Sequence, residues 1–143
     1  MKPGKGMGKR FSYYAKLYLA TLGAFFAIDL VWLGLVARQF YREQIGFLLA
    51  PEPNWLAAII FYLLFVLGIL VFAVLPGLES DSIKKTLFLG AFFGLVTYAT
   101  YDLTNLATVK GWPLLVTVVD LIWGTFLSVS VSFVGFKAGK LLK

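Results

Sequence analysis

Residues 100–125 read "TYDLTNLATVKGWPLLVTVVDLIWGT", and the fold turns on how the part from Asp102 to Asp120 is folded. It is either two helix ends joined by a tight turn or one long re-entrant loop. In the loop reading Asp120 is a helix N-cap and Asp102 and Asn105 are turn residues. Residues 83–101 and 121–139 would then span a membrane by themselves. In the helical reading both aspartates lie inside membrane-spanning helices. The apolar character of the stretch, and the nineteen residues that a loop would need in so small a chain, favour helix on both sides of a short turn.

The rest of the chain gives that choice its setting. Of 143 residues, 60% are hydrophobic and 14% charged, against about 45–50% and about 25% in soluble domains. Apolar residues come in long runs without the polar face of a water-soluble helix. Four runs, about 17–37, 55–76, 86–109 and 112–136, reach the roughly 20 residues that cross about 30 Å of hydrocarbon. The expected fold is all-α: a polytopic membrane protein with four transmembrane helices in an antiparallel bundle, forming one domain over 17–143 behind a flexible basic tail, 1–16. The first run exceeds the 7–15 residues of a signal-peptide core and no small-x-small cleavage site follows it, so it reads as a retained anchor. There is no Cys and no His, which removes disulfide, thiolate, haem-histidine and histidine-zinc chemistry and leaves the nature of any cofactor unknown.

Charge predicts orientation. Ten of the thirteen basic residues (Lys2, Lys5, Lys9, Arg10, Lys16, Lys84, Lys85, Lys137, Lys140 and Lys143) fall on one side, and Arg38, Arg42 and Lys110 on the other. The positive-inside rule then places both termini in the cytoplasm. The net charge of +6 is accounted for by topology and membrane lipids, with no nucleic-acid partner. On the opposite side, "RQFYREQIGFLLAPEPN" (38–54) suits a short amphipathic helix, read either as a lid over a pocket or as a continuation of the first span.

Three of the seven acidic residues, Asp29, Asp102 and Asp120, fall within spans. An aspartate at a helix centre costs about 2.5–3.5 kcal/mol on insertion scales, so each needs a reason to be there. Each lies eight or nine residues from a marker of the outer surface (Arg38, Lys110 and Trp112 respectively), or roughly 12–14 Å at 1.5 Å per residue. The three therefore share one level. The i, i+4 rows Gly90, Gly94, Tyr98, Asp102 and Asp120, Gly124, Ser128, Ser132 put small residues on the faces that carry the last two aspartates, which points those faces at other helices. The candidate ligand-binding cluster is Asp29, Tyr98, Asp102, Asn105, Thr117 and Asp120, with Trp32 and Trp123 beside it and no metal assigned. Its carboxyls must share protons, bind a cation, accept hydrogen bonds, or meet Arg38, Arg42 or Lys110 from the surface. Asp29-Leu-Val-Trp32 and Asp120-Leu-Ile-Trp123 repeat a motif in helices of opposite direction, but four residues are too few to establish an inverted repeat.

The strings "YATYDLTNLATVKGWP" (98–113) and "VTVVDLIWGT" (116–125), with "IDLVWLG" (28–34) and "FAVLPGL" (72–78), resemble a bacterial membrane-protein family catalogued as domain of unknown function 2177. The resemblance implies four spans and a bacterial inner-membrane location, and supplies no mechanism. Three functions stay open. The cluster binds or transports a cation, a proton or a lipid-like molecule; or it serves a lipid-modifying enzyme using Asp acid/base or Mg-type chemistry; or it is structural glue in a subunit that joins a second copy or a larger membrane protein.

Overall fold

The computed structural model describes residues 4–143. Helix α1 (Lys5–Val31) runs through a π-helical turn (Trp32–Val36) to a bend at Ala37, and a short α2 (Arg38–Ile45) follows, ending in a 3-10 turn. The second span is α3 (Trp55–Ile69), a π-helical turn (Leu70–Val74) and α4 (Leu75–Glu79). The third and fourth are α5 (Ile83–Thr108) and α6 (Leu114–Leu141). All four are long and apolar enough to cross a membrane. No strand occurs among the described residues.

Local chemistry sets the helix ends. Asn54 and Ser82 act as N-caps, accepting from the backbone N–H groups of Ala57 and Lys85 at 3.1 Å. The π turn at Leu70–Val74 stands just before Pro76, whose ring and missing N–H disturb a regular α-helical ladder. Between α5 and α6 the chain reverses over five residues, and Gly111 takes the left-handed conformation there (φ +79°), which a residue with a Cβ adopts only with strain. Asp102 and Asp120 are thus helical, and the re-entrant loop does not form. Two sequence expectations shift. Helix α1 begins at Lys5, within the stretch expected to be a flexible tail, because nothing between Lys5 and Lys16 breaks a helix strongly enough to stop it; residues 1–3 lie outside the described residues. The second span also runs to Glu79, past Pro76, where the apolar pattern of the sequence ends it.

Helix α6 is the axis of the bundle and buries eleven residues. Its small-residue row faces that of α5: a Cβ on Gly90 would come within 2.4 Å of Ser132 Oγ, and one on Gly94 within 2.4 Å of the Gly124 carbonyl oxygen. The glycine pair of α5 thus serves packing within the chain. At the end carrying the termini, Gly135 fits against Val74 and Thr21, and Gly139 against Leu78, while the Tyr13 hydroxyl donates to the Gly139 carbonyl at 3.0 Å. Missing side chains let the spans close at that end. At the other end the side chains are large and aromatic, and the spans part.

Candidate functional site

The parting of the spans leaves a cavity of about 400 Å³ at the α2 end, lined by residues of α1, α2, α3, α5 and α6. Asp29 and Asp120 both line it, and each is only 6% exposed. Helix direction explains how they meet: α1 and α6 run antiparallel, so two aspartates that enter from opposite directions reach the same depth. The indoles one turn on, Trp32 and Trp123, stack with centroids 4.3 Å apart.

Hydrogen bonds tie α2 to the site. The Trp32 Nε1–H donates to the Tyr41 hydroxyl at 3.3 Å, and that hydroxyl donates in turn to Asp120 Oδ1. Tyr41 belongs to α2, which is a separate helix because the chain bends at Ala37, where the backbone N–H reaches back to the Trp32 carbonyl at 2.7 Å. The five-residue spacing of that bond, a π-helical feature, re-aims the chain and brings Tyr41 over the cavity. Burial first, and then the Asp120 carboxyl, hold the Tyr41 phenol above its usual pKa, so it remains a donor at neutral pH. The Tyr62 hydroxyl and the Trp123 indole lie beside Asp29.

Asp102 lies behind Asp120, fully buried and off the cavity wall. Neither of its oxygens has a hydrogen-bond donor, and the Asp120 carboxyl is within hydrogen-bonding reach. Two ionised carboxylates in that position repel, so the pair is satisfied by one shared proton or by a cation. Tyr98 lines the cavity within electrostatic reach of all three aspartates, its ring lying over Gly124, where a Cβ would come 2.2 Å from the ring.

The structure therefore brings Asp29, Trp32, Tyr98, Asp120 and Trp123 to one cavity, with Asp102 adjoining it. Thr117 and Asn105 do not belong to the lining. Thr117 accepts from the Trp112 Nε1–H at 3.1 Å within a small apolar cluster with Ile45 and Val116, so its hydroxyl is used in the fold. Asn105 lies one turn nearer the α5–α6 connection, half-buried. Arg38, Arg42 and Lys110 do not reach the carboxyls, and the only ion pair among the described residues joins Lys140 and Asp81 at the opposite end. Sequence reasoning missed Tyr62, Tyr101, Phe61, Phe65 and Thr97 as lining residues. Tyr62 and Phe65 carried no signal, because α3 is apolar all round and nothing in its pattern marks an inner face. Among the described residues, no group of three or more His, Cys, Asp or Glu side chains is gathered closely enough to hold a metal ion.

Fold and cavity together define an all-α, four-span membrane protein with buried carboxyls at one end of its bundle. Residues 14–137 match the family described as "Predicted membrane protein (DUF2177)", and the chain belongs to that family. No curated protein and no solved structure matches it.

Proposed function

We propose that this protein is a binding protein of the bacterial inner membrane whose cavity takes a positively charged, hydrogen-bond-donating head group, an organic ammonium. The observation that carries this reading is the lining: Asp29 and Asp120, almost fully buried, face one cavity whose other walls are mostly aromatic and which contains no basic side chain. An ammonium between the two carboxyls offsets their charge, and the faces of Trp32, Trp123 and Tyr98 add cation–π attraction, worth up to about 2 kcal/mol when desolvated. A hard metal ion seeks six or more oxygen ligands, which suits an aromatic lining with two carboxylates less well. The distribution of basic residues favours cytoplasmic termini and hence a cavity in the outer half of the membrane.

The test is titration of the purified protein in lipid nanodiscs with butylamine by calorimetry. Asp29→Asn and Asp120→Asn should each weaken binding at least tenfold while the protein stays helical and monodisperse. Equal affinity in both variants and the parent would overturn the reading.

A second reading, that the deeper pair carries a proton, is favoured by Asp102, whose oxygens lack any donor. A carboxylic-acid infrared band present at neutral pH and absent from Asp102→Asn would support it; no such band in the parent protein would exclude it.

A further inference from the structure

A second space adjoins the apolar wall of the cavity. Phe61, Phe65 and Thr97 line both, and the second, of about 380 Å³, extends along the second span past Leu64, Gly68 and Val71 to Phe72. Its lining is apolar apart from Thr97, whose hydroxyl is turned back to donate to the Phe93 carbonyl of its own helix at 2.8 Å. Gly68 makes room for the ring that forms one wall of this space. A Cβ at that position would come within 2.6 Å of Phe93 Cζ, so the glycine lets the Phe93 ring lie against the second span, stacked on Phe72 at 5.9 Å and tilted against Phe65 at 5.3 Å. Leu64, Val71 and Phe72 are exposed along the same face. The groove is therefore open sideways to the hydrocarbon of a membrane.

Dimensions and chemistry point to one occupant. From Phe61 to Phe72 the helix advances about 16 Å at 1.5 Å per residue, roughly half of a hydrocarbon core of about 30 Å. Of the two adjoining spaces, the first carries two buried carboxyls and the second is hydrocarbon-like. On another side, the stacked rings of Trp32 and Trp123 stand between the cavity and a further apolar groove on the α1–α6 face.

We propose that the ligand is a single-chain cationic amphiphile: its ammonium sits between Asp29 and Asp120, its hydrocarbon chain lies in the groove between Phe65, Phe72 and Phe93, and it arrives sideways from the bilayer. This rests on the ammonium reading of the cavity. It adds the chain, the seat of the chain and the route. Ordinary lipid tails can wet any apolar groove, and what selects a charged amphiphile here is that this groove adjoins the carboxyl-lined cavity across Phe61, Phe65 and Thr97.

The experiment uses the full chain in phosphatidylcholine nanodiscs and dodecylamine bearing a diazirine at its chain end. After illumination, label is expected on Val71, Phe72 and Phe93, competed by unlabelled dodecylamine and reduced at least fivefold by Asp120→Asn. Val71→Trp, which fills the groove at a lipid-facing position, should reduce the labelling of Phe72 and Phe93 at least fivefold while leaving butylamine affinity within about twofold. Label spread over all lipid-facing helices, or unchanged in Val71→Trp, with butylamine still bound, would overturn the groove and leave the head-group site standing. Failure of butylamine itself to bind would overturn both.

Discussion

Trp32 and Trp123, each closing an Asp-Leu-x-Trp motif, stack with ring centroids 4.3 Å apart and planes 9° from parallel. The contact joins α1 to α6 one turn from Asp29 and Asp120, and Trp32 also holds Tyr41 through its indole N–H. A double-mutant cycle of Trp32→Ala and Trp123→Ala should give a coupling of about 0.5–1.5 kcal/mol, the value of a well-placed aromatic pair beyond its buried area. Additive losses, measured by unfolding in mixed micelles, would show that the stack contributes nothing of its own.

The seam between α5 and α6 should be the part of the bundle least tolerant of added volume. A Cβ on Gly94 would lie 2.4 Å from the Gly124 carbonyl oxygen, a backbone atom that moves only with its helix. Gly94→Ala should therefore cost about 1–3 kcal/mol of stability. Gly23 and Gly34, equally helical, have nothing within 4 Å of an added Cβ. Gly23→Ala should be neutral or slightly stabilising, since alanine is the better helix former. Comparison of melting temperatures checks both, and equal effects at positions 94 and 23 would contradict the close approach.

That seam was legible in the sequence because two independent signals agreed: small residues at i, i+4 and aspartates ending the same rows. The level shared by the three aspartates was legible too, since rise per residue converts sequence distance into depth. Lateral arrangement was not. Depth says nothing about which helix is whose neighbour, so Asn105 and Thr117 were placed in the cluster by facing alone, and the structure turns Thr117 to Trp112. The contribution of α3 was hidden for a different reason: a helix that is apolar on every side offers no periodicity from which an inner face can be read. Tyr41 was visible in a segment read either as a lid or as a continuation of the first span, but its reach to Asp120 depends on a π-helical turn for which composition gives no sign.

At the opposite end, Asp81 has a φ of +48° and pairs with Lys140. The Lys140 ammonium holds the Asp81 carboxyl below its ordinary pKa of 3.8. A depressed carboxyl stabilises the fold above its unfolded-state pKa, and that contribution disappears as pH falls through the folded-state value. Both side chains are exposed, so the effect should be small and should fade in high salt. Asp81→Asn, which tolerates the left-handed backbone, should alter the melting temperature little at pH 7, whereas Asp81→Val should lower it clearly. Similar losses from the two would assign the effect to charge instead of backbone.

Tyr41 offers the sharpest separation between α2 and the carboxyls beneath it. Its hydroxyl donates to Asp120, and its phenol is held above the usual value by burial and by that carboxyl. A raised acid of this kind stabilises the fold fully below the unfolded-state pKa of about 10, and the stabilisation is lost as pH rises through the folded value. Tyr41→Phe should therefore cost about 1–3 kcal/mol at neutral pH, the penalty for a buried acceptor left without its donor. The deficit should narrow above about pH 10, where the parent protein begins to lose the same contribution. Binding should move the other way. An ammonium that approaches Asp120 competes with the Tyr41 hydroxyl for the same oxygen, and removing a competitor worth about 1 kcal/mol corresponds to roughly fivefold tighter butylamine binding. Weaker binding in Tyr41→Phe would mean that the hydroxyl contacts the ligand directly, and Tyr41 would then be part of the binding site instead of a gate over it.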